Sequence, residues 1–208
     1  MMTIGLKELL ERADKKLVGV HPIVATKARQ LISQAYKEGI NIIITQGFRS
    51  IEEQNELYAQ GRTKPGKIVT KAKGGYSYHN FGLAFDFAVL NPDGSVNWNV
   101  DAKWKRVGQL GKSLGLEWGG DWEDFKDYPH FQYTFGLSLA DLRAGKRPPT
   151  KEESEVSEYQ LTEKDKEVIE TLRCLGITDG KNPTRPVNQL YLWHVVYGLV
   201  KAIKEGKV

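Results

Sequence analysis

The chain has 208 residues, of which 40% are hydrophobic and 27% charged, and its formal net charge is +4. This composition is typical of a globular protein, and the length allows one domain with a sizeable core plus a small appendage. Cys174 is the only cysteine, which excludes an intrachain disulfide and a cysteine-rich metal site. The mild positive charge favours an anionic partner or simply aids solubility.

The first part of the chain predicts two amphipathic helices followed by a buried strand. Apolar residues recur at helical spacing over 6–16, and again from Pro22 until Gly39. The β-branched run over 41–47 then predicts a strand. Core packing explains all three elements, so they suggest no chemistry of their own.

Arg49 follows this strand and is the first candidate for a functional role. Ser50 and Glu53 have the spacing of a capping box, which predicts a helix from Ser50 to about Gln60. A guanidinium at the junction of a strand and a helix is suited to a substrate carboxylate or a developing oxyanion. An ion pair with Glu52 or Glu53 explains the arginine equally well.

The segment 77–86 reads Ser-Tyr-His-Asn-Phe-Gly-Leu-Ala-Phe-Asp and is dense in chemically active side chains. His79 lies in a glycine-containing loop, and the apolar run over 84–90 predicts a buried strand that contains Asp86. A buried carboxylate requires a cation or strong donors, so Asp86 indicates either a metal ion or a structural salt bridge. Ser77 precedes His79 by two positions, so on an extended chain both side chains project to the same side.

The second histidine of interest, His130, follows a predicted turn at 91–94 and a predicted helix over 101–114, and it begins a short strand. Asp127 lies three positions before it. Taken singly, each histidine is most simply a surface or core residue. Two imidazoles and the Asp86 carboxylate together form a candidate catalytic zinc set with an open fourth position. Asp127 is then a spare carboxylate that can serve as a general base.

These residues carry a resemblance to a known family. The pattern Ser-x-His-x-x-Gly-x-Ala-x-Asp, followed by Asp-x-Pro-His-Phe, resembles the zinc peptidases that include L-alanyl-D-glutamate endopeptidases and D-alanyl-D-alanine carboxypeptidases and dipeptidases. Further blocks are most similar to the L-alanyl-D-glutamate branch, which is found in bacteriophage endolysins and bacterial autolysins. These blocks are Gly-Phe-Arg-Ser at 47–50, Tyr-Ala-Gln-Gly-Arg-Thr at 58–63 and Trp-Gly-Gly-Asp-Trp at 118–122. The resemblance runs from about residue 9 to residue 133.

We therefore expect an α+β fold, with helices packed on a small antiparallel sheet and a Zn²⁺ site at one edge of that sheet. The resemblance implies His79, Asp86 and His130 as the zinc ligands. It also implies Asp127 as the catalytic base that takes a proton from the attacking water and passes it to the leaving amine.

Three further residues match the family pattern and are expected to act on the substrate. Arg49 is expected to polarise the scissile carbonyl. Ser77 and Gln54 are expected at the substrate, Ser77 as a hydroxyl donor; for Gln54 the alternative is that it supports a neighbouring loop.

The reaction that the resemblance implies is hydrolysis of the L-Ala–D-Glu bond in the stem peptide of bacterial peptidoglycan. The N-terminal segment lacks the pattern of an export signal, and no run of the sequence is apolar enough to predict a membrane span. We therefore expect a phage endolysin made in the host cytoplasm, which reaches the cell wall after the membrane is permeabilised. A D-Ala-D-Ala carboxypeptidase or dipeptidase with the same zinc site and a non-catalytic wall-binding protein remain open. No basic motif interleaved with aromatics predicts a nucleic-acid partner.

Paired prolines followed by polar and acidic residues predict a linker over 146–160. It separates a catalytic domain over 1–145 from a small helical hairpin module over 161–208. A module of this size buries little core alone. Its loose resemblance to helical modules at the ends of phage wall hydrolases suggests that it binds anionic wall polymers, with oligomerisation as the alternative.

Overall fold

The computed structural model describes residues 4–149. The first compact unit of the chain spans Met1–Pro148. The predicted helical module over 161–208, and the predicted linker beyond residue 149, lie outside the described residues and stay predictions. Within residues 4–149, no helix combines the length and apolar character that crossing a membrane demands.

Five α-helices form in the described part of the chain. They are α1 (Leu6–Lys16), α2 (Pro22–Lys37), α3 (Ile51–Ala59), α4 (Ala102–Ser113) and α5 (Leu139–Arg143). The first four confirm the sequence predictions, whereas α5 was not predicted. Ser50 caps α3 by accepting a hydrogen bond from the Glu53 N–H, and the Glu53 side chain accepts from the Ser50 N–H. The predicted capping box is therefore confirmed, and Glu53 serves the helix instead of pairing with Arg49.

The helices pack on a small antiparallel sheet, as expected for an α+β fold. Its strands are β1 (Ile42–Gln46), β2 (Ala84–Leu90), β3 (Val96–Asn97), β4 (Glu117–Trp118) and β5 (His130–Gln132). The main strand order is β1-β2-β5-β4, and β3 also pairs with β2. Asp86 on β2 lies directly opposite His130 on β5. The two residues thus come from the central strands, and the expectation of a site at an edge of the sheet was wrong.

Successive side chains along β2 and β5 point to opposite faces of the sheet, so that one face belongs to the core and the other to the site. Phe85, Phe87 and Phe131 are fully buried, and the Phe87 ring stacks on Phe131 and packs against Trp104 of α4. Asp86 and His130 occupy the intervening positions and therefore project to the other face of the sheet. Each strand thus contributes aromatic side chains to the core and a polar side chain to the site.

Candidate active site

A 3₁₀ turn over Tyr78–Phe81 presents His79 to the site. The Ser77 side chain caps this turn by accepting the His79 N–H at 3.4 Å, so the two residues do not lie on one extended stretch as the sequence suggested. The turn ends at Gly82, which has a φ of 68°. A Cβ atom at Gly82 would lie 2.5 Å from the carbonyl oxygen of Gly19, so both conformation and space require glycine.

The imidazole of His79 is held in one tautomer. Its side chain is almost fully buried, and Nδ1 lies 2.7 Å from the carbonyl oxygen of Gly47. Because a carbonyl oxygen can only accept, Nδ1 carries the hydrogen and Nε2 keeps a free lone pair. That lone pair is directed towards Asp86 and His130.

Three potential ligand atoms meet in a nearly equilateral triangle. His79 Nε2 is 3.1 Å from Asp86 Oδ1 and 3.2 Å from His130 Nδ1, and His130 Nδ1 is 3.2 Å from Asp86 Oδ1. A tetrahedral Zn²⁺ ion with bonds of about 2.0–2.1 Å separates its ligands by about 3.3 Å. The triangle therefore fits one face of a zinc coordination sphere, and two imidazole nitrogens disfavour Mg²⁺ or Ca²⁺.

The electrostatics of the triangle favour an ionised carboxylate. Burial alone would raise the pKa of Asp86, but the charge and the hydrogen bonds that His79 and His130 supply when their rings are protonated outweigh burial and hold that pKa far below its ordinary value. Burial acts to lower the pKa of His130, yet the hydrogen bond and charge of Asp86 raise it. The site is thus organised for positive charge beside Asp86, which a bound cation supplies.

Asp127 provides a second carboxylate in the same cavity. Its backbone N–H donates to the Gly119 carbonyl at 3.0 Å, and its own carbonyl accepts from the His130 N–H at 3.1 Å. Burial raises the pKa of Asp127, and the negative charge of Asp86 raises it further. A carboxyl group with a raised pKa is suited to both accept and release a proton.

Arg49 lies beside the triangle and is anchored from two directions. Its Nη1 donates to Gln54 Oε1 at 2.7 Å, while Nη2 is 3.6 Å from Asp86 Oδ2. Its backbone N–H donates to the His79 carbonyl at 3.1 Å. Arg49 Nε is buried without a hydrogen-bond partner among the described residues. The guanidinium therefore lies close to the metal-binding atoms with part of its hydrogen-bonding capacity unused.

Gln54 is placed behind the cavity wall and not on it. The side chain is fully buried; besides accepting from Arg49, it donates to the Ala72 carbonyl at 2.7 Å and to Thr70 Oγ1 at 3.3 Å. Of its two proposed roles, the geometry favours support of Arg49 and the loop over contact with substrate. The reason is that all three of its polar contacts are already made within the protein.

The cavity in front of these residues has a volume of about 580 Å³. Ser77 lines it, as the prediction of a substrate-facing hydroxyl requires. Five Tyr, Trp and Phe residues also line it: Tyr76, Tyr78, Trp98, Trp122 and Phe125. Trp122 thus faces the cavity, whereas Trp118 is buried and packs against Phe131.

The sequence did not reveal several groups that hold the site in place. The Asn80 side chain donates to the carbonyls of Arg49 and Ser50 at 2.9 and 3.2 Å, and so ties the 3₁₀ turn to the start of α3. Gln132 Oε1 lies 3.0 Å from His130 Nε2. The spacing of His130 and Gln132, two positions apart on a strand, is the signal that could have identified Gln132.

Comparison with known proteins places this site in a family. A family model described as D-alanyl-D-alanine carboxypeptidase matches residues 70–133. The peptidoglycan L-alanyl-D-glutamate endopeptidase CwlK of Bacillus subtilis (strain 168) is 52% identical over 121 residues, which cover 54% of this chain and 72% of CwlK. The L-alanyl-D-glutamate peptidase of Listeria phage A118 is 34% identical over 110 residues, covering 52% of this chain and 36% of the phage protein.

Among solved structures, the L-Ala D-Glu endopeptidase ChiX of Serratia marcescens is similar with a TM-score of 0.43 and 26% sequence identity. The similarity covers 60% of this chain and 87% of ChiX. The family-model match and the close relatives identify the chain as a metallopeptidase. Because it matches nearly three quarters of CwlK at 52% identity, it belongs to the family of peptidoglycan L-alanyl-D-glutamate endopeptidases.

Proposed function

We propose that this protein is a zinc-dependent peptidoglycan hydrolase that cleaves the L-Ala–D-Glu bond of the stem peptide. The observation that carries the proposal is the triangle of His79 Nε2, Asp86 Oδ1 and His130 Nδ1, with edges of 3.1–3.2 Å. It lies in one cavity with Asp127 and Arg49. The bond specificity rests on the 52% identity to CwlK.

A D-Ala-D-Ala carboxypeptidase is the second candidate, because the matching family model carries that description. The model covers residues 70–133, so it includes the proposed metal ligands but not Arg49 or the helix that follows it. The similarity to CwlK extends over 121 residues, which is a longer stretch of the chain than the family model matches. We favour the endopeptidase on this ground.

In the proposed mechanism, His79, Asp86 and His130 hold Zn²⁺. When bound, zinc supplies Lewis-acid activation of water and of the scissile carbonyl. Asp127 accepts the proton of the attacking water and then gives it to the leaving amine. The raised pKa of Asp127, caused by burial and by Asp86, suits both transfers.

Arg49 and Ser77 orient the substrate in this proposal. Gln54 holds Nη1 of Arg49, which supports a role for the guanidinium in stabilising the negative charge that develops on the carbonyl oxygen. Ser77 uses its oxygen to accept the His79 N–H, so its hydroxyl hydrogen can be directed to a substrate carboxylate or carbonyl. Both residues line the cavity.

We further propose that the protein acts as a phage endolysin on the cell wall after the membrane is permeabilised. The similarity to the Listeria phage peptidase supports this setting. The helical module predicted over residues 161–208 is proposed to bind anionic wall polymers. The full chain is then expected to bind untreated walls better than walls from which these polymers have been extracted, and equal binding would contradict this part of the proposal.

Mass spectrometry of peptidoglycan fragments tests the reaction. Walls are incubated with zinc-loaded protein and, as the control, with chelator-treated protein. New peptides that begin with D-Glu or D-isoGln, with L-Ala retained on the muramic acid, are the expected products. Release of terminal D-Ala would move the protein to the carboxypeptidase activity, and intact walls of every type would contradict a catalytic function.

A further inference from the structure

A polar cross-strand pair lies behind the proposed metal ligand His130. Gln132 follows His130 on β5 and projects to the same face, while Glu117 on β4 lies directly opposite Gln132. Gln132 is buried and Glu117 is exposed at the surface. The pair thus connects a surface carboxylate to the interior of the site.

The three side chains form a continuous chain of hydrogen bonds. His130 Nε2 lies 3.0 Å from Gln132 Oε1, and Gln132 Nε2 donates to Glu117 Oε2 at 2.7 Å. The other carboxylate oxygen, Glu117 Oε1, accepts from Thr134 Oγ1 at 3.2 Å. Glu117 is therefore held by two donors, one of which leads to His130.

In the neutral form of His130, which metal binding requires, the chemistry of these groups allows only one arrangement of hydrogens. The carboxylate oxygen of Glu117 accepts from Gln132, so the NH₂ group of Gln132 faces Glu117. The amide oxygen of Gln132 must then face His130 and can only accept. His130 Nε2 therefore carries the hydrogen, and its Nδ1 lone pair is directed to Asp86 and His79.

We propose that Glu117, acting through Gln132, is a positioning residue that fixes the tautomer and ring orientation of His130 for zinc binding. The inference rests on the proposed zinc site. His79 needs no such chain, because the Gly47 carbonyl already accepts from its Nδ1. The two imidazoles thus offer opposite nitrogens, each selected by an acceptor on the far side of its ring.

Two variants test the chain of hydrogen bonds. Gln132→Leu removes the acceptor for His130 Nε2, and Glu117→Gln allows the Gln132 amide to adopt either orientation. Zinc affinity is measured by competition with a chromogenic chelator. Loss of a partner behind a metal ligand costs about 10- to 100-fold in affinity, and we expect Gln132→Leu near the upper end and Glu117→Gln near the lower end.

Measuring the tautomer of His130 directly shows whether Glu117 and Gln132 position this ring or only stabilise the fold. Long-range ¹H–¹⁵N correlation spectra of chelator-treated protein at alkaline pH report which ring nitrogen of His130 carries the hydrogen. The parent protein is expected to show only the Nε2–H form, and both variants a mixture. Thermal unfolding of the same samples identifies any variant that has lost its fold.

The exchanged double variant Glu117→Gln with Gln132→Glu provides the rescue. The new carboxylate at position 132 accepts from His130 Nε2 and from the new amide at position 117, so most of the lost zinc affinity should return. Glu38→Gln is the matched control, because Glu38 is a surface carboxylate bound to Arg106 and away from the site.

Three results would overturn the inference. The first two are a Glu117→Gln or a Gln132→Leu protein that keeps both the zinc affinity and the His130 tautomer of the parent. The third is an exchanged double variant that binds zinc as weakly as the single variants. Absence of zinc binding by the parent protein is a different outcome. It would contradict the proposed function, while the tautomer spectra would still test the hydrogen-bond chain without any metal.

Discussion

The buried amide of Gln54 offers a sharp test of how the site is supported. Gln54 accepts from Arg49 Nη1 at 2.7 Å and donates to the Ala72 carbonyl at 2.7 Å. Leucine has a similar size but none of these polar atoms. Gln54→Leu should therefore keep the packing of α3 while removing the acceptor for Arg49 and a donor for the loop that lines the cavity.

The expected loss of stability follows from these contacts. A hydrogen bond to a charged group contributes about 1.5–3 kcal/mol, and a neutral one about 1 kcal/mol. The loss is larger than at a surface, because the side chain is 0% exposed and water does not reach its position to replace the lost hydrogen bonds. The apolar leucine offsets part of this loss. We expect the free energy of unfolding to fall by about 2–4 kcal/mol.

Activity should fall further than stability alone explains. Arg49 would lose the contact that fixes its Nη1, and displacement of a positioning group by about 1 Å can cost as much as 100-fold. We expect kcat/KM on wall fragments to fall about 10- to 100-fold in protein that remains folded. Denaturant unfolding and steady-state hydrolysis of the same preparation measure both quantities.

Gln109→Leu is the matched control for this prediction. Gln109 also accepts from an arginine, Arg106 Nη1 at 3.2 Å, but the pair is exposed on α4. A surface substitution of this kind changes the free energy of unfolding by no more than about 0.5 kcal/mol. If Gln54→Leu were as mild as Gln109→Leu, the supporting role of Gln54 would be refuted. If stability fell while kcat/KM stayed at the parent value, Arg49 would not depend on Gln54.

Three further predictions concern the metal, the residues of the proposed site and the packing around them. Chelation should abolish hydrolysis and added zinc should restore it, as measured by release of wall peptides. Asp127→Asn should retain zinc but lower kcat by about 10²- to 10⁴-fold, the usual contribution of a general base, whereas His79→Ala should lose both zinc and activity. Gly119→Ala would bring a Cβ to 2.5 Å from the Asp127 carbonyl oxygen and 3.1 Å from His130 Cβ. It should destabilise the fold by about 1–3 kcal/mol, measured by denaturant unfolding, and lower kcat through displacement of both residues.

Each of these predictions has an outcome that contradicts it. Full activity after exhaustive dialysis against chelator would exclude a required metal. Parent-like turnover in Asp127→Asn would remove Asp127 from the proton transfers, and tight zinc binding in His79→Ala would remove His79 from the ligand set. For Gly119→Ala the matched control is Gly5→Ala, where the added Cβ has no neighbour within 4 Å and φ is −78°. Equal effects of the two variants would mean that close packing at Gly119 has no special importance.

The local elements could be predicted because their signals are local. The run over 84–90 is continuous and apolar, and β2 has the predicted bounds, Ala84–Leu90. The pairing of β2 with β5 could not be predicted in the same way. The register that sets Asp86 opposite His130 joins distant parts of the chain and depends on how both strands pack on the helices. The sequence therefore identified the three candidate ligands, which the structure brings together, but misplaced them at an edge of the sheet.

The supporting groups were harder to predict than the candidate ligands. The acceptor that fixes the His79 tautomer is the backbone carbonyl of Gly47, and a backbone atom leaves no signature in residue type. Gln54 was recognised, but its burial and its contacts with Arg49 and Ala72 depend on how the loop folds back on α3. Long-range contacts of this kind follow from the tertiary structure and not from a local pattern.

The two oxygens of Asp86 link the proposed metal site to Arg49, the group that we propose acts on the substrate. Oδ1 belongs to the ligand triangle, while Oδ2 lies 3.6 Å from Arg49 Nη2. A bound divalent cation and Arg49 together carry three positive charges, and the carboxylates of Asp86 and Asp127 carry two negative charges. The net charge of these four groups is therefore +1. Such a balance stabilises a substrate that gains negative charge as it reacts. In the proposed site Asp86 therefore does more than hold a metal, because it also sets the distance between the cation and the guanidinium.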